Sequence, residues 1–309
     1  MRVRPRAAED VVGYFPPMAG RTVPDGCDLC FLPRFAFLDG TVYEVSLDGV
    51  AAVILLRPEP PTRSTTEVLS IYPSAHDVPR NLLRAYIVFS EPMSEGYAAA
   101  HLRLLDEAGQ TLQGALLPTD YELWDGDHRR LTALLDPARI KRGLVPHRQA
   151  GYPIRLGQSV RLVVGEGFRD ARGAPLRAGA ERRYGVGDDE RRRVDPTNWT
   201  LRSPRRDSFE PLEVTFDRPL DYGLLTRCLR VRGPNGHHVD GAVELGSAER
   251  SWRLAPSELW CAGRHELVID DILEDVAGNS VRRVFDRDQT RSSDAVREKG
   301  PFVIGYFPR

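Results

Sequence analysis

The chain has 309 residues, of which 41% are hydrophobic and 28% charged, and its formal net charge at pH 7 is −1. This balance is typical of a globular protein of about two domains, and it gives no overall field that would favour nucleic acid or an anionic membrane as a partner. No apolar run approaches the roughly 20 residues of a membrane-spanning helix, so we expect neither a nucleic-acid partner nor a membrane span. Lys141 and Lys299 are the only lysines, and any anion site would therefore depend on arginine.

Residues 1–65 predict a small β module followed by a linker, not a full domain. Residues 31–49, FLPRFAFLDGTVYEVSLDG, are similar to the later part of the repeats described below. The proline-rich stretch 58–66 has the composition of a stiff linker. The N-terminus carries basic residues without an apolar signal region, which leaves two locations open: the cytoplasm, or the cell envelope after removal of a leader that precedes this numbering.

Sequence landmarks then occur twice in the same order, roughly 120 residues apart. Recurrence of both period and order indicates two copies of one domain. The matching segments are 85–93 with 211–220, 101–117 with 228–245, and 155–176 with 261–281.

Strand patterns dominate both copies. Residues 83–90 predict one strand, and 212–216 alternate between apolar and polar side chains with the period of a half-buried strand. Glycine-containing turns at 106–109 and 233–236 predict hairpins. Long amphipathic helices are missing, so each copy is expected to pack two antiparallel sheets face to face.

The fold class is therefore predicted to be all-β, with tandem antiparallel β-sandwiches after the small N-terminal module. The linker at 187–196 separates the copies. The predicted units are 1–65 for the module and its linker, 66–187 for the first sandwich, and 195–309 for the second.

A short motif links the two ends of the chain. Residues 11–16, VVGYFP, nearly match residues 303–308, VIGYFP. A shared role as a β-strand would explain the duplication, so both segments are predicted to be edge strands.

The segment FSEPM (89–93), with PSAHDVPRN (73–81) ahead of it and AGN (277–279) closing the second copy, resembles bacterial Ig-like domains of surface-layer and other envelope proteins. The resemblance covers about 66–187 and 195–290. It implies an all-β fold of tandem Ig-like antiparallel β-sandwiches, an extracytoplasmic location, and binding or spacing in place of catalysis. Ig-like sandwiches carry many different functions, so the resemblance is more specific for fold than for activity.

The two copies differ most at residues 119–154, where the second copy has the shorter segment 246–260. Function is expected where the copies differ, because loops and strand ends on a rigid sandwich commonly carry binding residues. Arginine and lysine beside a tryptophan could hold a carboxylate or phosphate and stack on a ring. The candidate ligand-binding residues are Glu122, Trp124, Asp125, His128, Arg129, Arg139, Lys141, Arg142 and His147.

Two alternatives to a ligand site stay open. The insertion could be a solvated loop whose charges pair with one another. It could also serve an enzyme, with Glu122 and Asp125 as an acid–base pair and His128 or His147 as proton carrier. Carboxylates three residues apart on a strand point to opposite faces, so this pair would need a turn at Gly126. The chain contains no serine-hydrolase elbow, phosphate loop or zinc-protease motif.

No cofactor is expected, and calcium is the alternative. Neither candidate set has the spacing of an EF-hand loop, and a transition-metal role for His237 and His238 is a weaker alternative. The oxygen donors are Asp125 with Asp127, or Asp270, Asp271 and Asp275 with Asn279.

The cysteines and tryptophans lead to structural expectations. Cys27 and Cys30 form a Cys-x-x-Cys motif without the second pair that a zinc site needs, so a loop disulfide or two thiols is expected. A bridge between Cys228 and Cys261 is left open. The tryptophans at strand positions of the second copy are predicted to lie in the core; they are Trp199, Trp252 and Trp260.

These observations predict a non-catalytic binding or structural protein of the bacterial cell envelope, or a secreted one. The first sandwich would carry the ligand site and the second would support it. The partner would be a small anionic ligand, a glycan or another envelope protein. The alternative is an enzyme that acts on a small anionic metabolite through the same insertion.

Overall fold

The structure, a computed structural model, describes residues 1–6, 16–58, 64–118, 121–288 and 290–309. Its N-terminal module contains a three-stranded antiparallel sheet in the order β1-β4-β5 and a β2-β3 hairpin. The strands are β1 Arg2–Pro5, β2 Gly20–Asp25, β3 Asp28–Pro33, β4 Val42–Leu47 and β5 Val50–Leu56.

The first sandwich packs a sheet of order β10-β11-β8-β6 on a sheet of order β7-β13-β12-β9. Among the strands of this sandwich that the structure describes, only β7, which pairs with β13, is parallel to its neighbour. Inward side chains of both sheets, including Ile87, Phe89 and Leu162, form one apolar core. The strands are β6 Val68–Tyr72, β7 Asp77–Pro79, β8 Arg84–Phe89, β9 Leu102–Leu105, β10 Leu123–Trp124, β11 Arg130–Leu134, β12 Ser159–Val164 and β13 Ala180–Gly187. The short helices are α1 Ala98–His101, α2 Pro137–Ile140 and α3 Val145–Ala150.

The second sandwich packs a sheet of order β14-β15-β18-β17 on a sheet of order β16-β19-β20, around a separate apolar core. Strand by strand these orders correspond to those of the first sandwich, except that the described residues place no counterpart of β7 in the second sheet. The elements are β14 Thr200–Arg202, β15 Leu212–Thr215, α4 Tyr222–Leu225, β16 Leu229–Arg232, β17 Gly241–Leu245, β18 Ser251–Pro256, β19 His265–Ile269 and β20 Phe302–Tyr306. Single 3-10 turns occur at Pro196–Asn198, Ser247–Glu249 and Ser292–Asp294.

The structure confirms the all-β prediction, and several local predictions hold in detail. Leu212 and Val214 are fully buried while Thr215 is exposed, as the alternation predicts. Gly109 and Gly236 take positive φ values of 78° and 82° in the two predicted turns, a conformation that glycine adopts without steric cost. The three tryptophans of the second sandwich lie in its core, with exposed fractions of 9%, 1% and 1%; they are Trp199, Trp252 and Trp260.

A charged junction joins the two sandwiches. Asp221, at the N-terminus of α4, is 3% exposed and accepts hydrogen bonds from the Tyr86 hydroxyl (2.7 Å) and from Nη1 of Arg84 (2.9 Å), both on β8. Arg84 also forms an ion pair with Glu274 of the second sandwich. Because Asp221 is buried, its charge depends on protein donors such as these.

Further contacts close the junction beside Asp221. The rings of Tyr72 and Tyr222 stack with centroids 3.6 Å apart. The Glu249 carboxylate accepts a hydrogen bond from the backbone N–H of Ser74 (2.9 Å). Burial raises the pKa of Tyr222 to about 12 and also raises the pKa of Glu249. Paired polar groups and stacked rings together hold the two sandwiches in a defined relative position.

A buried carboxylate lies next to this junction, in a turn of the second sandwich. Asp275 accepts hydrogen bonds from the backbone N–H groups of Ala277 (3.0 Å) and Asn279 (2.9 Å). Nη1 of Arg218 lies 3.4 Å from its Oδ2. Burial raises the pKa of Asp275 to about 7, although the hydrogen bonds from Asn279 and the charge of Arg218 lower it.

The N-terminal module contacts the first sandwich at the loops that follow β8 and β12. Nη1 of Arg57 donates to the carbonyl of Ala171 (3.1 Å). Gly96 has a φ of 96°, and a Cβ there would lie 3.3 Å from the backbone nitrogen of Ala36, so a side chain would crowd the module. Residues 11–15 of the first predicted edge strand and 59–63 of the predicted linker lie outside the described residues.

No helix in the described part of the chain is both long and apolar enough to cross a membrane.

Candidate functional site

The 119–154 insertion forms a hairpin and two short helices in the first sandwich. Strands β10 and β11 pair with Leu123 opposite Thr132. The turn between them is held by Asp125, whose Oδ1 accepts hydrogen bonds from the backbone N–H groups of Arg129 (2.9 Å) and Arg130 (3.0 Å). The Asp125 carboxylate therefore stabilises the turn. The helices α2 and α3 follow β11.

The carboxylate and aromatic candidates meet at the turn end of this hairpin. Oε1 of Glu122 accepts a hydrogen bond from the backbone N–H of Ala98 (2.6 Å), and its Oε2 accepts one from Nε1 of Trp124 (2.8 Å). The Trp124 and His128 rings lie nearly parallel with centroids 6.0 Å apart. The structure thus brings three of the predicted residues together, and Glu122 holds the tryptophan in place.

Arg129 lies on the outside of the same turn. Its Nη1 donates to the carbonyl of Ser90 (2.5 Å), and its Nη2 lies 3.6 Å from the Glu91 carboxylate. These contacts place it against the loop that follows β8, away from Glu122.

The remaining candidates lie beyond the opposite end of β11. Nη1 of Arg139 donates to the carbonyl of Gly114 (3.0 Å), its Nε to that of Gly151 (3.1 Å), and its Nη2 to that of Tyr152 (2.8 Å). Nδ1 of His147 lies 2.5 Å from the carbonyl oxygen of Arg139. Arg139 therefore ties the two ends of the helical segment to the loop before β10.

The other two basic candidates face a C-terminal segment of the chain. Nζ of Lys141 lies 4.6 Å from the centroid of the Phe285 ring. Nε of Arg142 lies 3.1 Å from the Asp286 carboxylate, which also forms an ion pair with Arg191. The carboxylates of the insertion therefore do not share one pocket with Arg139, Lys141 and Arg142, because β11 lies between the two groups.

A groove of about 730 Å³ opens on the first sandwich beside the hairpin. It runs between β9 on one sheet and the edge formed by β10 and β11 on the other, and the N-terminal module closes one end. Its volume lies within the range of small-ligand sites in proteins. Its exposed aromatic side chains are Phe35 (66%) and Tyr121 (44%).

The groove walls carry two positive and two negative side chains. Arg34 and Arg103 supply guanidinium groups, and neither forms an ion pair within the part of the chain described here. Glu95 and Glu122 supply carboxylates, so the formal charge of the groove is zero. Apolar lining residues include Leu102, Leu104, Leu112, Leu116, Leu117, Leu123 and Leu134.

Glu95 is one of the groove residues that sequence reasoning missed. Its Oε1 lies 3.9 Å from Nε2 of His128. Burial raises the pKa of Glu95, and the neighbouring charge of His128 opposes that shift. Glu95 follows the FSEPM segment and lies 33 positions before His128 in the chain. Without the fold, only its position next to a conformationally demanding glycine, Gly96, distinguished it.

The described residues form neither a metal site nor a disulfide bond. Within the described ranges, no three His, Cys, Asp or Glu residues are arranged to hold a metal ion. Oδ1 of Asp270 caps a turn by accepting from the N–H of Ile272 (3.2 Å). The four cysteines are free thiols: Cys27, Cys30, Cys228 and Cys261.

No protein-family model and no curated protein sequence matches this chain. Among solved structures, native alpha-2-macroglobulin from Escherichia coli (domains MG0-NIE-MG1) is 10% identical, with 68% of this chain and 67% of that one covered and a TM-score of 0.26. The S-layer protein rSbsC(31-844) is 13% identical, with 66% and 23% covered and a TM-score of 0.27. A chimeric titin Z1Z2 tandem is 10% identical, with 63% and 85% covered and a TM-score of 0.15. At these TM-scores the similarities carry no argument about function.

Proposed function

We propose that this chain is a non-catalytic β-sandwich protein of the bacterial cell envelope that binds a neutral glycan in the groove of its first sandwich. The observation that carries the proposal is the groove itself, which combines exposed aromatic rings with balanced charged groups. The envelope location rests on the resemblance of the 89–93 and 277–279 segments to bacterial Ig-like domains.

The charges of the groove favour an uncharged, hydroxyl-rich ligand. Because the four charges of the groove cancel, the groove has no net electrostatic attraction for a metabolite that carries one charge. The hydroxyl groups of a sugar, by contrast, can donate to Glu95 and accept from Arg34 and Arg103. The carboxylate oxygens of Glu122 retain acceptor capacity beyond their two protein donors.

The aromatic side chains favour the same ligand class. Phe35 and Tyr121 stand at the groove with large exposed surfaces, and a ring next to polar groups offers both apolar contact and hydrogen bonding. The guanidinium carbon of Arg21 lies 4.1 Å from the centroid of the Tyr121 ring, so Arg21 covers one face of that ring.

An anionic ligand held by the insertion has less support. Arg139 and Arg142 are engaged with carbonyl groups and with Asp286, and Lys141 rests on a ring. A ligand would have to break those contacts to bind there. The enzyme alternative needs a free acid–base pair, and Asp125 is committed to the hairpin turn.

The experiment is a glycan array followed by calorimetric titration of the strongest ligand. Replacement of Tyr121 by alanine should weaken binding about tenfold, because a stacking surface is lost. The matched control is Phe209→Ala, which removes an aromatic side chain of 59% exposure from the second sandwich and should leave affinity unchanged. Equal affinity of the parent and the Tyr121→Ala variant, or binding of anions alone, would contradict the proposal.

A further inference from the structure

A thiol and an imidazole lie side by side at one end of the second sandwich, outside the proposed glycan site. Sγ of Cys261 lies 3.9 Å from Nε2 of His265. Cys261 is exposed in the loop between β18 and β19, whereas His265, the first residue of β19, is 1% exposed. A nucleophile that solvent can reach therefore adjoins a base that is held in the protein interior.

The other ring nitrogen of His265 determines which tautomer is present. Its Nδ1 lies 3.2 Å from the carbonyl oxygen of Gly263. Because a carbonyl oxygen only accepts hydrogen bonds, Nδ1 carries the hydrogen, and in the neutral ring Nε2 is an acceptor. Among the described residues, the thiol of Cys261 is the one polar group that contacts Nε2. The lone pair of Nε2 is thus available to the S–H of Cys261.

Aromatic packing holds the His265 ring in this orientation. The Trp260 ring contacts it edge-on, with centroids 5.4 Å apart, and the Tyr306 ring of β20 lies 5.6 Å from it. Nε1 of Trp260 in turn donates to the carbonyl of Glu210 (2.7 Å). A nucleophile, a base within its reach and a third group that orients the base are the parts of an activated thiol.

The surroundings of His265 favour its neutral form. Burial lowers the pKa of His265, and the hydrogen bond to Gly263 opposes that shift. In the described part of the chain, the titratable side chains beside its ring are Cys261 and Tyr306. Burial raises the pKa of Tyr306, so the phenol stays uncharged. A neutral imidazole is the form that can accept a proton from a thiol.

The other three cysteines have no such base among the described residues. Cys228 is 1% exposed, and burial raises the pKa of its thiol to about 11. Sγ of Cys30 lies 3.9 Å from a carboxylate oxygen of Asp25, a neighbour that disfavours the thiolate. Cys27 is exposed and forms no hydrogen bond or ion pair with a described residue. Cys27 is therefore an internal control for Cys261.

We propose that Cys261 and His265 form a thiol-exchange site, at which Cys261 takes up one half of a low-molecular-weight disulfide. Nε2 of His265 accepts the proton of the Cys261 thiol, and Sγ attacks one sulfur of the disulfide R–S–S–R. A bond forms between Sγ and that sulfur while the S–S bond of the reagent breaks. The leaving sulfur takes the proton from His265 and departs as R–SH. Cys261 is thereby oxidised and the leaving sulfur reduced.

The place of this loop in the fold keeps the modification away from the contacts between the sandwiches. Glu249, two residues before β18, and Glu274, five residues after β19, both contact the first sandwich. The loop between the end of β18 and the start of β19 therefore lies at the opposite end of the second sandwich. An adduct on Cys261 leaves both the junction and the groove intact.

The test measures how fast each cysteine of the full-length chain reacts with iodoacetamide, by mass spectrometry of the digested protein. Fragment ions separate Cys27 from Cys30, which share a tryptic peptide. At pH 7, Cys261 should react at least about tenfold faster than Cys27, because a positioned base assists the reaction.

The pH dependence of the two rates is the sharper measurement. A thiol without a base reacts through its thiolate, so the Cys27 rate should fall about tenfold per pH unit between about pH 8 and about pH 6. The Cys261 rate should change by less than about threefold over this range, because His265 stays neutral. A thiol that is merely exposed would follow the Cys27 profile.

The variant His265→Gln removes the base and keeps a polar side chain of similar size. It should bring the Cys261 rate and its pH dependence to those of Cys27, with the circular dichroism of the parent. The matched control His76→Gln, at a histidine whose side chain is 82% exposed on the first sandwich, should leave all rates unchanged. If His265→Gln does not fold, the pH profile of the parent decides the question by itself.

Oxidised glutathione is the disulfide probe. A mixed disulfide should form at Cys261 before Cys27, at least about tenfold more slowly in His265→Gln, and dithiothreitol should remove it. The proposal is overturned if Cys261 reacts no faster than Cys27, or if the two rates share one pH dependence. Equal adduct formation at the two cysteines, or an unchanged Cys261 rate in a folded His265→Gln variant, would overturn it as well.

Discussion

At the scale of single residues, Arg139 shows how a basic side chain in an insertion can stabilise the fold. Its guanidinium group donates to the carbonyls of Gly114, Gly151 and Tyr152, which belong to two separate loops. Burial lowers the pKa of Arg139, in accord with a group partly withdrawn from water. Sequence pattern alone does not distinguish such a residue from one that holds an anion, because both uses need the same donor groups.

Replacement of Arg139 by alanine should destabilise the protein by about 1–3 kcal/mol, since three carbonyls lose their donors. Denaturant unfolding measures this change. The control is Arg155→Ala, an exposed arginine directly after the insertion, whose loss should cost at most about 0.5 kcal/mol. Equal stability of the two variants would show that the Arg139 contacts contribute little.

Asp275 should make stability depend on pH in the direction opposite to ordinary acid denaturation. Its pKa is raised to about 7 in the folded protein, so the folded state binds the proton more tightly than the unfolded state. The stabilisation is therefore complete below the unfolded pKa of about 4 and is lost as the pH rises through about 7. The free energy of unfolding should fall over this window.

The variant Asp275→Asn should flatten that dependence, because the amide keeps an acceptor oxygen for the turn but does not titrate. Chemical unfolding at several pH values between about 4 and about 8 measures the slope. Part of the slope should remain, since burial also raises the pKa of Glu249 and Glu274. Asp207→Asn, at an exposed carboxylate, should leave the slope unchanged; an unchanged slope in Asp275→Asn would refute the assignment.

At the scale of elements, local patterns predicted strands well because their causes are local. The alternation in 212–216 reports a strand with one buried face, and the glycines at 109 and 236 report turns that need positive φ. Each of these features depends on side chains within a few residues of one another. The strands and turns of both sandwiches were therefore accessible from sequence.

The groove could not be predicted from local sequence patterns of this kind. Its walls combine Phe35 of the module, Glu95 from the loop after β8, Arg103 of β9 and Tyr121 of the insertion. These residues are separated by up to 86 positions in the chain, and only the packing of the module on the sandwich brings them together. Sequence reasoning placed a site on the insertion, found Glu122, and had no local pattern from which to infer the opposite wall.

At the scale of the whole molecule, the junction determines whether the two sandwiches unfold together. Asp221 links them through Arg84 and Tyr86 and also accepts from the backbone N–H of Leu224 (3.0 Å) at the start of α4. Desolvation lowers the pKa of Arg84, but attraction to the charges of Asp221 and Glu274 outweighs it, so the pKa is raised. Removal of the carboxylate would leave this arginine charged and without its buried partner.

The variant Asp221→Ala should lose about 3–5 kcal/mol, the usual cost of breaking a buried ion pair on one side. Calorimetry should then show two thermal transitions in place of one cooperative transition, because the sandwiches have separate cores. Asp207→Ala, which removes an exposed carboxylate paired with Arg206, is the control and should preserve a single transition. A single unshifted transition in Asp221→Ala would mean that the apolar contacts and the tyrosine stack suffice.

The placement of the tryptophans makes the two halves of the molecule optically distinct. Three of the four indoles are in the second core, while Trp124 donates to Glu122 at the groove. Intrinsic fluorescence during unfolding will therefore report mainly on the second sandwich. In a protein with Trp199, Trp252 and Trp260 replaced by phenylalanine, the emission of Trp124 would become a built-in reporter of ligand arrival at the groove, with no external dye.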